Sequence, residues 1–280
     1  MLDELHHFLL ICEHGSFTAA ARHAHLTQPA LSASIRRLED FMGARLLHRL
    51  PRGARPTAAG EALVPHARAT LGSVDRGRRA VQEIEGLKTG EVRLGGGATA
   101  CTYLLPRRLA AFQEARPGLS IRLRETMTPT VREQVEAGQL DLGIGIAPGG
   151  EPWMIDELVL VASPERAKRV VRVGERIAAG QPFVSFVQGA AVRGMLERAF
   201  PEAEVVVELA SIAAVKGHVR AGIGLALLSR HAIRNDLDLG LLVEVPDERT
   251  PLVRHLVLHH AGDETLSPAA RALLEWLMRD

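Results

Sequence analysis

The stretch from Thr27 to Leu38, Thr-Gln-Pro-Ala-Leu-Ser-Ala-Ser-Ile-Arg-Arg-Leu, constrains this chain more than any other. Thr27 is a good helix N-cap, and Pro29 falls in the first turn, where a missing N–H costs nothing. Leu31, Ile35 and Leu38 recur at helical spacing, so one stripe must be buried against other elements. The adjoining stripe, Gln28, Ser32 and Arg36, carries hydrogen-bonding groups with little bulk. A helix anchored on one side and polar but slim on the other suits entry into a DNA major groove, where Gln and Arg read base edges. The candidate DNA-binding residues on this helix are therefore Thr27, Gln28, Pro29, Ser32 and Arg36.

The residues before it supply the support. Leu5, Phe8, Leu9 and Cys12 give a first helix its buried stripe, Gly15 ends it, and Ser16 caps a second helix through Phe17-Thr-Ala-Ala-Ala-Arg-His-Ala. His25 and Leu26 form the turn into Thr27, which makes the unit a helix-turn-helix. Arg45 to Arg55, with Pro51 and Gly53, reads as a β-wing whose Arg49, Arg52 and Arg55 contact phosphates or the minor groove. From Ala58 to about Leu87 the pattern is helical again, with Leu63, Ala67, Leu71, Val74, Val81, Ile84 and Leu87 as apolar positions. That helix outruns the small domain before it, and an antiparallel copy in a second subunit is the simplest cover. Pro65 within it is expected to kink or locally loosen it, and Lys88-Thr-Gly90 ends it.

These segments carry a resemblance. Gly15-Ser-Phe-Thr-Ala-Ala-Ala, Leu26 to Glu39, Gly43-Ala-Arg-Leu-Leu-His-Arg49 and Thr57-Ala-Ala-Gly60 are similar to the N-terminal domain of LysR-type transcriptional regulators. Gly90-Glu-Val-Arg-Leu-Gly, Leu105-Pro, Gly138-Gln-Leu-Asp-Leu-Gly and Val219 to Leu228 resemble that family's effector domain. Two positions around the wing depart, Leu47 where the family usually has Phe and Pro56 where it usually has Leu. The resemblance implies a homodimer to homotetramer that binds double-stranded DNA at an inverted repeat, responds to a small effector and, if an activator, contacts RNA polymerase.

The effector region alternates strand and helix. Val92 to Gly95, Leu119 to Leu123 and Leu140 to Ile146 read as strands, with helices over Leu104 to Ala115 and Pro129 to Ala137. This βαβαβ order predicts a parallel sheet. After Pro164 a second set follows, with strands at Phe183 to Val187, Val205 to Leu209 and Ile223 to Leu228 and helices at Val192 to Phe200 and Ile212 to Ala221. Crossings between the halves are expected near Leu160 to Ser163 and near His259 to Gly262, and a last helix from Ser267 to Met278 returns to the first half. The fold class is thus α/β with an all-α winged helix-turn-helix in front, its effector domain made of two periplasmic-binding-protein-like subdomains. The expected divisions are 1–57 for DNA binding, 58–88 for the dimerisation helix and 89–280 for the effector domain. Within the last, one half takes about 90–162 and 262–280, the other about 163–261.

Ligands of open α/β sheets bind beyond the carboxyl ends of strands, where helix N-termini point inward. Ala98, Thr99 and Ala100 after the first strand, Thr128, Ser185 and Ser211 are the candidate contacts for a small polar or anionic effector. By resemblance, Thr99 occupies the family's common effector-contacting position. Arg193 and Lys216 could add charge. No cofactor and no metal is expected: His255, His259 and His260 lie on and just past a strand without carboxylate or cysteine at ligand spacing, and a solvated strand face is the reading adopted. Cys12 looks like core and Cys101 like a small buried residue, without the close pair of peroxide-sensing members of the family.

Composition narrows the function without setting it. A net charge of +1 means any DNA contact rests on a local arginine cluster, not on global basicity. Two separated cysteines, no long apolar run and no basic-plus-apolar leader predict a cytoplasmic location and no membrane partner. An enzyme with an α/β catalytic domain fused to a DNA-binding module is the alternative. Against it, the chain has no nucleophile elbow, metal-ligand set or paired carboxylates facing the expected cleft, so no catalytic residue is assigned.

Overall fold

The structure, a computed structural model, describes residues 1–50, 53–84, 90–174, 176–177 and 179–279. The chain divides into two compact units, one of Met1–Lys88 with Glu133–Leu140 and Ala261–Ser267, the other of Thr89–Arg132, Asp141–His260 and Pro268–Asp280.

In the first unit, α1 (Leu2–His14) ends at Gly15, whose left-handed backbone stops the helix, and Ser16 caps α2 (Phe17–His23) by accepting from the Ala19 N–H. Thr27 caps α3 (Gln28–Met42), accepting from the Ala30 N–H at 3.3 Å. The core joins Leu5, Phe8, Ile11, Phe17, Leu31, Ile35 and Leu38 to Leu46 and Ala54 of the wing and Ala67 of the long helix. Ile11, not Leu9 or Cys12, is the buried centre of α1; those two are half-buried around it. The wing is a real hairpin, β1 (Leu47–Leu50) running antiparallel to β2 (Gly53–Pro56) with Arg49 opposite Ala54. Helix α4 (Ala58–Ile84) continues through Pro65. Its first turns pack Leu63, Ala67 and Leu71 on the core, whereas Val74, Val81 and Ile84 are exposed, Ile84 by 76%. Leu87 of the expected stripe, with Lys88, lies outside the described residues.

The second unit is built on a sheet in the order β11-β6-β13-β5-β3-β4. Strands β3 (Glu91–Gly96), β4 (Ser120–Glu125) and β5 (Leu142–Ile146) are parallel, as the alternating pattern requires. The connection from β3 contains α5 (Leu105–Ala115), but the helix begins earlier than expected, at Ala98, and passes through a π-type turn over Ala100–Leu104. The next connection is a 3-10 turn at Thr128–Thr130 and α6 (Val131–Glu136). Then comes β6 (Glu151–Ala162), a strand of twelve residues where only a crossing near Leu160 to Ser163 is expected. After α7 (Pro164–Ala167) and a small pair, β7 (Arg172–Val173) with β8 (Arg176–Ile177), the second half follows: β9 (Pro182–Phe186), α8 (Ala191–Ala199), β10 (Glu204–Leu209), α9 (Ile212–Arg220) and β11 (Ala226–Ser229). Strands β9 and β10 are parallel, and β9 reaches the main sheet where Phe183 bridges Leu225. Last come α10 (Arg230–Asp238), β12 (Val243–Glu244), β13 (Leu252–His259), a 3-10 turn at Asp263–Thr265 and α11 (Pro268–Leu277), which buries Leu273, Leu274 and Leu277.

Strand β13 pairs antiparallel with both β6 and β5, so β6 and β13 form the two-stranded link between the halves. His255 is exposed, but His259 is buried, contrary to the solvated face expected for it. Its ring lies over Gly145, where any Cβ would come within 2.6 Å of Nε2.

Candidate functional site

Each unit presents one candidate surface. In the first, buried side chains fix the outward face of α3. Leu31, Ile35 and Leu38 anchor it, His7 Nδ1 bonds Ser34 Oγ at 2.7 Å, and Arg37 Nε donates to Glu4 at 3.0 Å. The amino terminus and then Arg37 hold the Glu4 carboxyl down to about 2, so this tie is charged at any ordinary pH. At the other end Glu39, itself buried, accepts from the Leu46 and Leu47 N–H groups and from Arg45, which locks the wing onto α3. Thr27, Gln28, Pro29 and Arg36 are exposed on the resulting face. Ser32, between Gln28 and Arg36 on the same stripe, is only 5% exposed. Arg49 and Arg55 are exposed on opposite strands of the wing, Arg49 with its guanidinium 4.4 Å from the centre of the Phe17 ring. Arg52 lies outside the described residues.

In the second unit, a cavity of about 360 Å³ opens at the carboxyl ends of β3 and β9. Ala98, Thr99 and Ala100, the first residues of the helix after β3, line it, as do Ala190 to Val192 at the start of α8 and Ala210 and Ile212 at the start of α9. First-turn N–H groups lack intrahelical acceptors, so these starts present donors and partial positive charge. Thr126 and Thr128 complete the polar lining. Thr128 reaches in because Gly97 has no side chain, a Cβ there falling 2.3 Å from Thr128 Oγ1. Met127, Ile144, Phe186, Val187 and Leu256 make much of the rest apolar.

Of the expected effector contacts, Ala98, Thr99, Ala100 and Thr128 are brought together here. Ser185 and Ser211 are corrections. Ser185 points into the buried interior of β9, since the even alternation of a strand puts Phe186 toward the cavity instead. Ser211 is exposed and spends its hydroxyl on the Ala214 N–H as the cap of α9. Arg193 and Lys216 are also committed elsewhere. Arg193 is paired with Glu197 at 2.8 Å and Glu208 at 2.7 Å. Lys216 binds buried Asp236 at 2.9 Å beside Arg220, and although burial alone raises the Asp236 pKa, these two cations keep it below the usual carboxylate range.

The residue missed by sequence reasoning is Arg254. It lines the cavity at 6% exposure, donating from Nε to Asp156 at 2.7 Å and from Nη2 to Thr99 Oγ1 at 3.0 Å. Asp156, fully buried, accepts from Ser229 Oγ on its other oxygen at 2.6 Å. The legible signal was charge inside two apolar runs, Arg254 in Leu252-Val-Arg-His-Leu-Val-Leu and Asp156 with Glu157 in Met154-Ile-Asp-Glu-Leu-Val, since buried charges occur paired. Cys101 donates from Sγ to the Gly96 carbonyl, and burial, reinforced by Glu125, pushes its thiol up to about 11, so it is not a thiolate. Among the described residues no helix is long and apolar enough to cross a membrane.

Comparison with known proteins covers both units. Residues 2–61 match the family model described as bacterial regulatory helix-turn-helix protein, lysR family, and residues 85–280 match the LysR substrate binding domain. The RuBisCO operon transcriptional regulator of Allochromatium vinosum is 30% identical over 100% of this chain and 96% of its own length. The fold is similar to that of ArgP from Mycobacterium tuberculosis, with a TM-score of 0.70 at 20% identity over 98% of this chain and 95% of that one. It is also similar to the Synechocystis PCC6803 CcmR regulatory domain in complex with 2-PG, with a TM-score of 0.59 at 23% identity over 68% and 96%. A helix-turn-helix with its wing, an α/β unit with a cavity at its strand ends, and these matches across the length of the chain place it in the LysR family: it is a DNA-binding transcriptional regulator with an effector-binding domain, not an enzyme.

Proposed function

We propose that this protein reads an inverted-repeat operator as a cytoplasmic homodimer or homotetramer and that a small polar or anionic effector in the cavity changes how it does so. Gln28 and Arg36 meet base edges in the major groove, with Thr27 and Pro29 setting the approach of the helix, and Arg49 and Arg55 neutralise phosphates. Val74, Val81 and Ile84 on α4 are the pairing face, and contacts between effector domains complete the tetramer. If it activates, RNA polymerase is a further partner. The relatives' names make the promoter of a RuBisCO operon the first operator to test. The observation that carries the reading is the cavity itself: Arg254, buried yet lining it, sits where helix N-termini converge, between strands that link the two halves. Closure of the halves about β6 and β13 on a bound ligand is the switch, and a ligand acts so only by binding one arrangement better than the other.

The DNA half of the reading separates two kinds of contact. Gln28→Ala is expected to cost about 1–3 kcal/mol on the operator and to relax base preference. Arg55→Ala is expected to weaken operator and random DNA alike and to lower the salt slope by about one. Titrations at several salt concentrations check both, and equal losses on both DNAs for Gln28→Ala would remove base reading from α3.

A further inference from the structure

The groups around Arg254 restrict what the effector can be. Thr99 Oγ1 already accepts from Arg254 Nη2, so the hydroxyl has its own hydrogen left to donate. Arg254 spends Nε and Nη2 on Asp156 and Thr99, and its Nη1 has no partner among the described residues. The start of the helix at Ala98 adds backbone N–H donors on the same side of the cavity. What this corner offers is mainly donors, and the ligand group that best matches them is one that accepts only, an ionised acid.

Charge then limits how much acid. The guanidinium of Arg254 is matched one for one by the carboxylate of Asp156, which has no exposure to water, so the pair is neutral. What remains positive is the partial charge of the helix starts at Ala98, Ala191 and Ile212, about half a unit each before screening. Together that is about one and a half units before screening, which favours one negative charge over several. Glu125, exposed on the rim, opposes a second one. Beyond this corner Met127, Ile144, Phe186, Val187 and Leu256 make most of the wall apolar, with the hydroxyls of Thr126 and Thr128 on one side of it. At about 360 Å³ the cavity is at the small end of ligand sites, which run from ~300 to ~1,000 Å³.

We infer that the cavity selects a small monocarboxylate with an apolar body, its carboxylate held by Arg254, Thr99 and the helix start at Ala98, rather than a multiply charged anion. This rests on the effector reading given above and makes it specific. Arg254 supplies the charge-assisted bond, and Thr99 both orients Arg254 and donates.

The test is thermal shift followed by calorimetric titration of the full-length protein with benzoate, phenylacetate and 4-methylpentanoate. The corresponding primary amides, citrate and fructose bisphosphate are run beside them. At least one monocarboxylate is expected to raise the melting temperature, its amide to bind at least about tenfold more weakly, and the multiply charged anions to give no shift. Thr99→Val is expected to weaken the binding monocarboxylate by about tenfold. Arg254→Gln paired with Asp156→Asn, which leaves no buried charge unmatched, is expected to abolish its binding. A shift by citrate or fructose bisphosphate with the monocarboxylates silent overturns the inference and leaves the cavity as the effector site. No shift by any monocarboxylate, or equal binding of acid and amide, overturns it as well. The reading beneath it fails separately, if Ala191→Trp, which fills the cavity, leaves promoter response to growth conditions intact in cells.

Discussion

Single buried acids organise both surfaces. Glu39 is the clearest case, because a carboxylate at the buried end of α3 answers the main-chain N–H groups of Leu46 and Leu47, where the chain enters the wing, as well as Arg45. Removing it leaves the Leu46 and Leu47 donors unsatisfied in the interior, so Glu39→Ala is expected to destabilise the DNA-binding unit by about 1–3 kcal/mol. Since the wing is then free of α3, affinity for random DNA is expected to fall with it. Urea unfolding and titration with non-operator duplex check the two effects, and a variant of unchanged stability would reduce Glu39 to a surface ion pair with Arg45. Asp156 plays the corresponding part in the effector unit, matching Arg254 and taking the Ser229 hydroxyl. In each case the acid is worth more for what it positions than for the attraction itself, because a buried pair repays little beyond its own desolvation.

At the scale of elements, α4 is the one whose sequence is unfinished business for a monomer. Its first turns are covered by the core, but Val81 and Ile84 are exposed by 59% and 76%. Val81→Lys combined with Ile84→Lys is expected to halve the sedimentation mass of the full-length protein, whereas Val81→Leu, which keeps the face apolar, is expected to leave it unchanged. An unaltered mass in the lysine variant would move the dimer contact off α4. Helical elements of this kind were legible because their signals are local: Thr27 and Ser16 cap, Gly15 stops, and leucines recur at helical spacing. The strands β6 and β13 were not, because each changes partners along its length, and its carboxyl-terminal half is buried on both faces and shows neither alternation nor a turn at the crossing. The same cause hid Arg254. Reading its role requires knowing that β13 lies beside β6, which no local pattern states. Ser185 failed for a related reason, since a one-residue error in which face of β9 looks outward exchanges Ser185 for Phe186.

For the whole molecule the question is whether cavity and operator are one thermodynamic system. A regulator needs the ligand to favour one arrangement, and the coupling free energy for such proteins is about 1–3 kcal/mol, a factor of roughly 5 to 150 in affinity. Linkage makes the effect reciprocal: whatever factor the effector applies to operator binding, saturating operator must apply to effector binding. Calorimetric titration of the stabilising monocarboxylate is therefore expected to give a dissociation constant that shifts by at least about fivefold when operator duplex is present. Random duplex, bound through phosphates alone, is expected to give a smaller shift, because it makes no demand on the spacing of two recognition helices. An operator with half a helical turn inserted between its half-sites is expected to behave like random duplex, since its halves then face opposite sides of the DNA. If operator, random and half-turn duplexes all leave ligand affinity unchanged, the cavity binds its ligand without informing the DNA. If all three shift it equally, the coupling runs through charge neutralisation, not through the placement of the α3 helices.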